Sequence, residues 1–508
     1  MKLLQDRHVL VLGLGHSGLA MARWCAAQGA LVTVADTRAA PPQLAALREQ
    51  VPAARFVPGA LDAALLDDAS LRAVYRSPGL APASIAGVVH AARERGLPVS
   101  GELGLFVQAL AHLKQTAGYE PALLAITGTN GKTTVTALTG QLVERAGRSV
   151  GVAGNIGPTL LDTLQAQLAA DALPQVWVLE LSSFQLDGAE GFEPTAATVL
   201  NVTQDHLDWH GDMAAYAAAK ARVFGERGVM VLNRNDATVI AMRPEAPAKL
   251  VKGAPRPVPR SVVTFGADMP TAPGDFGIEL VGGMAWLVRA QEADETQRRR
   301  KDAEVELHIQ RLMPADALRI RGRHNAVNAL AALALATSAG CALGPMLYGL
   351  REYRGEPHRV ESIGVLDGVE YFDDSKGTNV GATVAALEGL GAERKLVVIL
   401  GGEGKGQDFG PLLPALARFA RAAVLIGRDA PLIRAALQDA GVPLLDATDM
   451  AGAVAQARGR ARTGDAVLLS PACASFDMFR DYAQRADAFR AAVRDLALAE
   501  GTDLEVPS

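Results

Sequence analysis

Between residues 122 and 146 an apolar run, Ala-Leu-Leu-Ala-Ile, is followed by Thr127-Gly128-Thr129-Asn130-Gly131-Lys132-Thr133-Thr134 and then by a helical pattern beginning near Thr134. A glycine-rich turn between a strand and a helix presents successive backbone N–H groups to an anion, where the helix dipole also favours negative charge. Lys132 is placed to neutralise β- and γ-phosphate oxygens and Thr133 to offer its hydroxyl to Mg²⁺. Gly128, Thr129, Asn130, Gly131, Lys132, Thr133 and Thr134 therefore read as an ATP-binding loop. It is a variant, because GxxxxGK[ST] asks for glycine at position 126, which is Ile126 here. Phosphoryl chemistry needs metal ions and cations around it. Glu180, ending a strand at 176–181, and His206, in the loop after a strand at 197–202, offer an oxygen and a nitrogen ligand. Each alone reads equally well as a hydrogen-bonded structural residue. Asp205 is placed to orient His206.

A second glycine cluster, Gly13-Leu14-Gly15-His16-Ser17-Gly18, lies between a strand at 8–12 and a helix from about Ser17, with Asp36 at the end of the next strand. This βαβ pattern puts a phosphate-bearing ligand at the helix N-terminus, and taken alone it is as consistent with an NAD site as with another nucleotide. Lys220, in Tyr216-Ala-Ala-Ala-Lys220, reads from residue type as a solvated group on a helix. Asn325 and Asn328, three apart, share one helix face, and Asn325 could instead cap that helix.

These residues need elements to hold them. Short β-branched runs alternate with alanine-rich helical stretches three times along the chain, which predicts an α/β protein of three domains in series. They are a Rossmann-like N-terminal domain (1–117), a P-loop-type central domain with a mostly parallel sheet (118–355), and a Rossmann-like C-terminal domain (356–508). In the last, strands are expected at 369–372, 396–400, 423–426 and 466–469. Segment 244–317 opens with five prolines between 244 and 260 and becomes densely charged between 291 and 306. It is expected to form surface excursions and a β-rich extension of the central domain. Its Arg298-Arg299-Arg300-Lys301 run is closely flanked by acids and reads as a solvated loop or helix face.

The 508 residues carry a net charge of −5, which gives no basic field for nucleic acid. Cys25, Cys341 and Cys473 lie far apart, so neither a disulfide framework nor a zinc site is expected. The start, Met-Lys-Leu-Leu-Gln-Asp-Arg-His, is not a signal-peptide pattern. The alanine-rich run at 328–343 is too weak for a span of ~20 apolar residues and reads as a core helix. A cytoplasmic monomer without a membrane span is the expectation.

The string TGTNGKTT, the AGNIG at 153–157 and Glu180 in LELSSFQL resemble the Mur ligase family, which also includes folylpolyglutamate synthase. NVTQDHLDWH at 201–210, DDSKGTN at 373–379, GGEGKGQDF at 401–409 and LSPACASFDMF at 469–479 are similar to its D-glutamate-adding branch, and no DNPR motif occurs. The motifs span the whole chain in order. The resemblance implies ATP-dependent joining of D-glutamate to UDP-N-acetylmuramoyl-L-alanine, with Mg²⁺ at two sites. It turns the first glycine cluster from a dinucleotide site into a UDP-sugar pocket of Gly15, Ser17, Thr37, Arg38, Ser77, Pro78, Gly79 and Asn155. Lys132, Glu180, His206 and Lys220 become catalytic residues, Lys220 as a carbamylated lysine sharing the metal with Thr133, Glu180 and His206. Asn325, Asn328, His358, Arg359, Asp374 and Lys376 are implied to reach ATP, and Thr378, Lys405 and Ser475 to hold D-glutamate. A folate polyglutamate ligase would lack the UDP pocket. A nucleotide-sugar binder without turnover would not need Lys132, Glu180, His206 and Lys220 together.

Overall fold

Continuous apolar strands separated by helices are stable only when both sheet faces are covered. The computed structural model, which describes residues 2–244, 260–293 and 306–505, has three such sheets. The first is wholly parallel in the order Arg55–Pro58, Leu31–Asp36, His8–Leu12, Leu71–Arg76, Val99–Ser100. Its strand order reverses between His8–Leu12 and Leu71–Arg76, which opens a crevice outside their carboxyl ends.

The central sheet, also parallel, runs Val262–Phe265, Val229–Asn233, Ala196–Val199, Ala122–Thr127, Val176–Glu180, Val150–Gly154. Ala122–Thr127 lies between strands that follow it in the chain on either side, so the phosphate loop leaves the sheet at its switch point. Val262–Phe265 falls within the segment expected to form surface excursions and is instead the sixth strand of this sheet. Beyond it, Phe276–Val281, Met284–Glu292 and Leu307–Pro314 form an antiparallel sheet. Its Phe276, Ile278, Leu287 and Met313 pack into one core with helix Arg323–Ser338. The extension is thus β-rich, as expected, but anchored in the core. The Arg298 to Lys301 run lies outside the described residues. Helix Arg323–Ser338 is the expected core helix: Ala326 and every residue from Ala329 to Ala336 are buried, and their small side chains let it pack against helix Lys132–Arg145.

The third sheet runs Glu361–Leu366, Val369–Asp373, Ala466–Leu469, Leu396–Gly401, Ala420–Ile426, Leu444–Asp446. It is parallel except for the first strand, which makes a hairpin with the second. The hairpin turns at Asp367 and Gly368, with φ of 48° and 73°. Asp-Gly suits a tight turn that needs two positive φ values, yet Glu361–Leu366 was not among the expected strands. Apolar clusters cover both faces, Phe372, Leu400 and Leu416 on one and Tyr371, Val397 and Phe489 on the other.

Two connections join the three sheets. Helix Glu102–Ala117 bridges the first and central sheets, with Phe106 edge-on to Trp177 at 5.2 Å, and ends at Gly118 in the left-handed region. Helix Leu343–Glu352 leads through Gly355, at φ 92°, to the third sheet. Among the described residues no helix is long and apolar enough to cross a membrane, and all three cysteines are buried and free.

Candidate active site

The phosphate loop is held from two sides. Gly128 and Gly131 adopt φ of 154° and 82°, and a Cβ on Gly131 would come within 2.9 Å of Asn328 Oδ1. The Asn130 backbone N–H donates to Asn201 Oδ1 at 2.8 Å, and Asn201 Nδ2 donates back to the Asn130 carbonyl at 3.1 Å. Asn201 and Thr203 of the NVTQDH string thus set the loop's shape, a role that string did not announce. The helix starts at Lys132, two residues before the expected point, which puts Thr133 and Thr134 in its first turn. Lys132 Nζ donates to the carbonyls of Gly128 and Thr129 at 2.8 and 2.9 Å. Burial pushes its pKa down, against the pull of Glu180.

Glu180, the last residue of its strand, is buried; Oε1 accepts from Asn155 Nδ2 at 2.9 Å, while Oε2 is buried without a partner. A carboxylate oxygen stripped of both water and donors is costly, and a cation is the partner that restores it. His206, at φ 54°, opens the short helix Leu207–His210 and packs edge-on against Phe184. Burial lowers its pKa, so the imidazole is neutral at pH 7, the form that ligates a metal. Asp205 accepts from the His206 backbone N–H at 3.0 Å, and its Oδ2 lies 3.6 Å from the ring Nε2. Thr133, Glu180 and His206 line one cleft of about 600 Å³; the orphaned carboxylate oxygen and the hydroxyl are hard oxygen donors of the kind Mg²⁺ takes, and the neutral imidazole stands beside them. Lys220 departs from the solvated reading. On helix Met213–Ala221 it is 1% exposed, its Nζ donating to the Gly128 carbonyl at 2.8 Å and lying 4.4 Å from the Tyr216 ring centre. Burial holds its pKa well below the ordinary value.

The third domain closes the same cleft with Arg359, Lys376, Thr378 and Lys405. Arg359 donates to Thr133 Oγ1 across the domain boundary. Lys376 sits 3.8 Å from the Tyr482 ring centre, and burial brings its pKa down to about 8. A smaller adjoining cavity, about 110 Å³, is lined by Gly131, Thr134, Asn325, Asn328, Asp374 and Lys376 among others. Asn325 is not the cap: Gly322 takes that position, and Asn325 Nδ2 donates to the Arg321 carbonyl. Burial raises Asp374 to about 7, and its Oδ2 accepts from Ser470 Oγ at 2.7 Å. Gly128, Lys220, His358 and Ser475 line neither cavity. His358 stands behind Tyr482, ring centres 5.9 Å apart, with Nδ1 2.8 Å from Asp373 Oδ2. Arg490 pairs with both the Asp373 and the Glu361 beside it, so the charge of this acidic cluster is partly balanced from within the protein. Ser475 is buried, and its carbonyl accepts from the Phe479 N–H.

At the carboxyl end of the first sheet a cleft of about 880 Å³ brings together Gly15, Ser17, Thr37, Arg38, Ser77, Pro78 and Gly79, with Asn155 contributed by the central domain. Asn155 lines the second cleft as well, so the two adjoin. Asp36, which a dinucleotide site would turn towards ribose hydroxyls, is taken. It accepts from the Leu14 N–H at 2.7 Å and from the backbone and guanidinium of Arg38, whose hydrogen bonds hold its pKa down at about 2.

Three family models match the chain in order: the Mur ligase MurD-like N-terminal domain over residues 7–101, the Mur ligase middle domain over 126–336, and the Mur ligase glutamate ligase domain over 358–473. A protein of Albidiferax ferrireducens named UDP-N-acetylmuramoylalanine--D-glutamate ligase is 69% identical over 505 residues, 99% of each chain. The chain belongs to the Mur ligase family. A Burkholderia mallei protein of the same name is 59% identical over 507 residues, 98% of each chain. Among solved structures of Mur ligases, the UDP-N-acetylmuramate-alanine ligase of Thermotoga maritima superposes with a TM-score of 0.53 at 19% identity, covering 96% of this chain and 99% of its own. The MurF ligase of the same organism, in complex with ADP, gives 0.55 at 16%, covering 98% and 97%. At those identities the likeness is one of Mur ligase fold.

Proposed function

We infer that this chain joins D-glutamate to the alanyl carboxylate of UDP-N-acetylmuramoyl-L-alanine, converting ATP to ADP and phosphate, a step of peptidoglycan precursor synthesis. The observation that carries this reading is the shared cleft. Phosphate-loop residues of the central domain face Lys376, Thr378 and Lys405 of the third, and Asn155 joins that space to the cleft of the first. No domain alone holds all three groups of residues.

A carboxylate is a poor electrophile, so amide formation in water needs it activated. Transfer of the γ-phosphoryl group to the alanyl carboxylate gives an acyl phosphate. The D-glutamate amine attacks its carbonyl carbon, the amine loses a proton, and phosphate leaves. Lys132 would turn from its loop carbonyls onto the phosphates, and Asn325 and Asn328 would hold adenine at the small cavity. Thr133, Glu180 and His206 would hold Mg²⁺, which supplies charge neutralisation for the transferring phosphoryl group. Two such sites are part of the reading. Lys220 would join them as a carbamate: its buried Nζ is held towards the neutral amine, which bonds to the carbon of CO₂ and releases a proton. Thr378, Lys405 and Ser475 would serve the two carboxylates of D-glutamate, Ser475 from just beneath the surface. The first cleft would take the UDP-sugar, and a monomer in the cytoplasm completes the reading.

The test is phosphate release by the purified protein with UDP-N-acetylmuramoyl-L-alanine, ATP and Mg²⁺. Release should require D-glutamate. Equal release with L-glutamate, or none with either, would sink this assignment.

A further inference from the structure

Asn379 lies between the catalytic groups of two domains without belonging to any set named above. It is 6% exposed and caps the third-domain helix Val380–Gly391, Oδ1 accepting from the Ala382 N–H at 2.9 Å. That bond fixes the amide's orientation and turns Nδ2 towards the central domain. There it donates to Asn130 Oδ1 in the phosphate loop at 3.0 Å and approaches Asp205 Oδ2 at 3.4 Å, while Asn130 Nδ2 donates back to Asn379 Oδ1 at 3.3 Å. One primary amide thus uses two acceptor and two donor directions, its full capacity. A carboxylate could not donate, and a hydroxyl could cap but not span the gap.

The positions tied together are those that matter for the proposed reaction. Asn130 is clamped by Asn201 within the phosphate loop. Asp205 flanks His206. Ala382, Ala385 and Ala386, on the capped helix, line the small cavity beside Asn325 and Asn328. The Val380 N–H donates to Gln407 Oε1 at 3.1 Å, which reaches the turn bearing Lys405. Resting on the ligase reading above, we propose that Asn379 is a positioning residue. It docks the D-glutamate-bearing domain onto the phosphate loop, so that helix Val380–Gly391 and Thr378 take their working places only when the loop is correctly formed.

Three variants separate the docking role from the cap. Asn379→Ser keeps a good capping oxygen but cannot reach Asn130; Asn379→Ala loses both; Asn379→Gln keeps the amide on a longer arm. In Asn379→Ser, kcat should fall ~10- to 100-fold, as expected for two or three lost hydrogen bonds in a water-poor cleft. The dissociation constant for UDP-N-acetylmuramoyl-L-alanine should stay within about twofold because the first domain is untouched, and Tm should fall less than in Asn379→Ala because the cap is kept. Asn379→Ala should fall as far in kcat and lose more in Tm, and Asn379→Gln should recover part of the rate. Wild-type kcat in Asn379→Ser would show that the cap was the whole role and overturn the proposal. So would a loss of Tm or of UDP-substrate binding in Asn379→Ser as large as in Asn379→Ala. If the wild-type protein itself releases no phosphate with D-glutamate, it is the ligase reading that fails.

Discussion

Lys132, half-buried, and Lys220, fully buried, are two lysines whose amines donate to the same Gly128 carbonyl, yet they differ in what is expected of them. Lys132 begins a helix and lines the cleft, free to follow a phosphate. Lys132→Ala should cut ligation by at least ~10²-fold, since it removes a cation aimed at developing phosphoryl charge. A near-normal rate of phosphate release in that variant would contradict the ATP site. Lys220 is locked against Tyr216 and away from the cleft wall, so its ammonium form has little to do there. A carbamate would give it oxygen atoms to offer. Lys220→Ala should be nearly inactive and partly restored by a short carboxylic acid supplying the missing ligand, with activity titrated against added acetate or formate. An active variant, or mass spectrometry and crystallography showing an unmodified lysine in the presence of bicarbonate and Mg²⁺, would count against the modification. The contrast also marks what residue type can and cannot say. Lys132 was readable because glycines and threonines around it leave few other uses. Lys220 on an alanine-rich helix looks solvated until the fold places that helix against the phosphate loop.

At the scale of elements, the sheets were legible because buried parallel strands write themselves as unbroken apolar runs, and the switch-point geometry then follows from strand order. Strand Val262–Phe265 was missed because its neighbourhood is dominated by prolines and charge, and Glu361–Leu366 because a single glycine interrupts its pattern. Interdomain contacts left no mark at all. His324, at the start of helix Arg323–Ser338, is hydrogen-bonded to the Ala385 backbone, while its Nδ1 has no partner, and a Cβ on Gly389 would come within 2.3 Å of that nitrogen. Helix meets helix here only because position 389 is glycine. Burial lowers the imidazole from 6.5 to about 4. Between those values the unfolded chain binds a proton that the folded ring refuses, so this contact loses stability as pH falls from about 6.5 towards 4 and is indifferent above that range. The loss should be on the order of 1–3 kcal/mol. His324→Gln should therefore flatten the fall of Tm with pH between 6.5 and 4.5. A slope unchanged from wild type would remove His324 as its source.

The whole molecule distributes its chemistry over three bodies and must bring them together. The reacting amine and acyl phosphate need to approach ~3–3.5 Å with water excluded from the labile intermediate. In the arrangement described, the third domain is docked: Arg359 reaches Thr133, Asn379 pairs with Asn130, and His324 nests against Gly389. That docking brings cations from two domains face to face. Besides burial, Arg359 and Lys132 both push the Lys376 pKa down, and Arg359 does the same to Lys132, with Glu180 opposing in each case. Phosphate groups in the cleft would turn this repulsion into attraction, so ligand and closure should be linked, with Gly355 absorbing the rotation. The expected outcome is that ATP with the UDP substrate compacts the protein in solution, read by small-angle scattering or by a fluorophore pair on the central and third domains. Because the opposing force is between charges, raising the salt concentration should shift the ligand-free protein part of the way towards the compact form. Identical scattering profiles with and without saturating ligands would refute ligand-driven closure and leave the docked arrangement as the resting state.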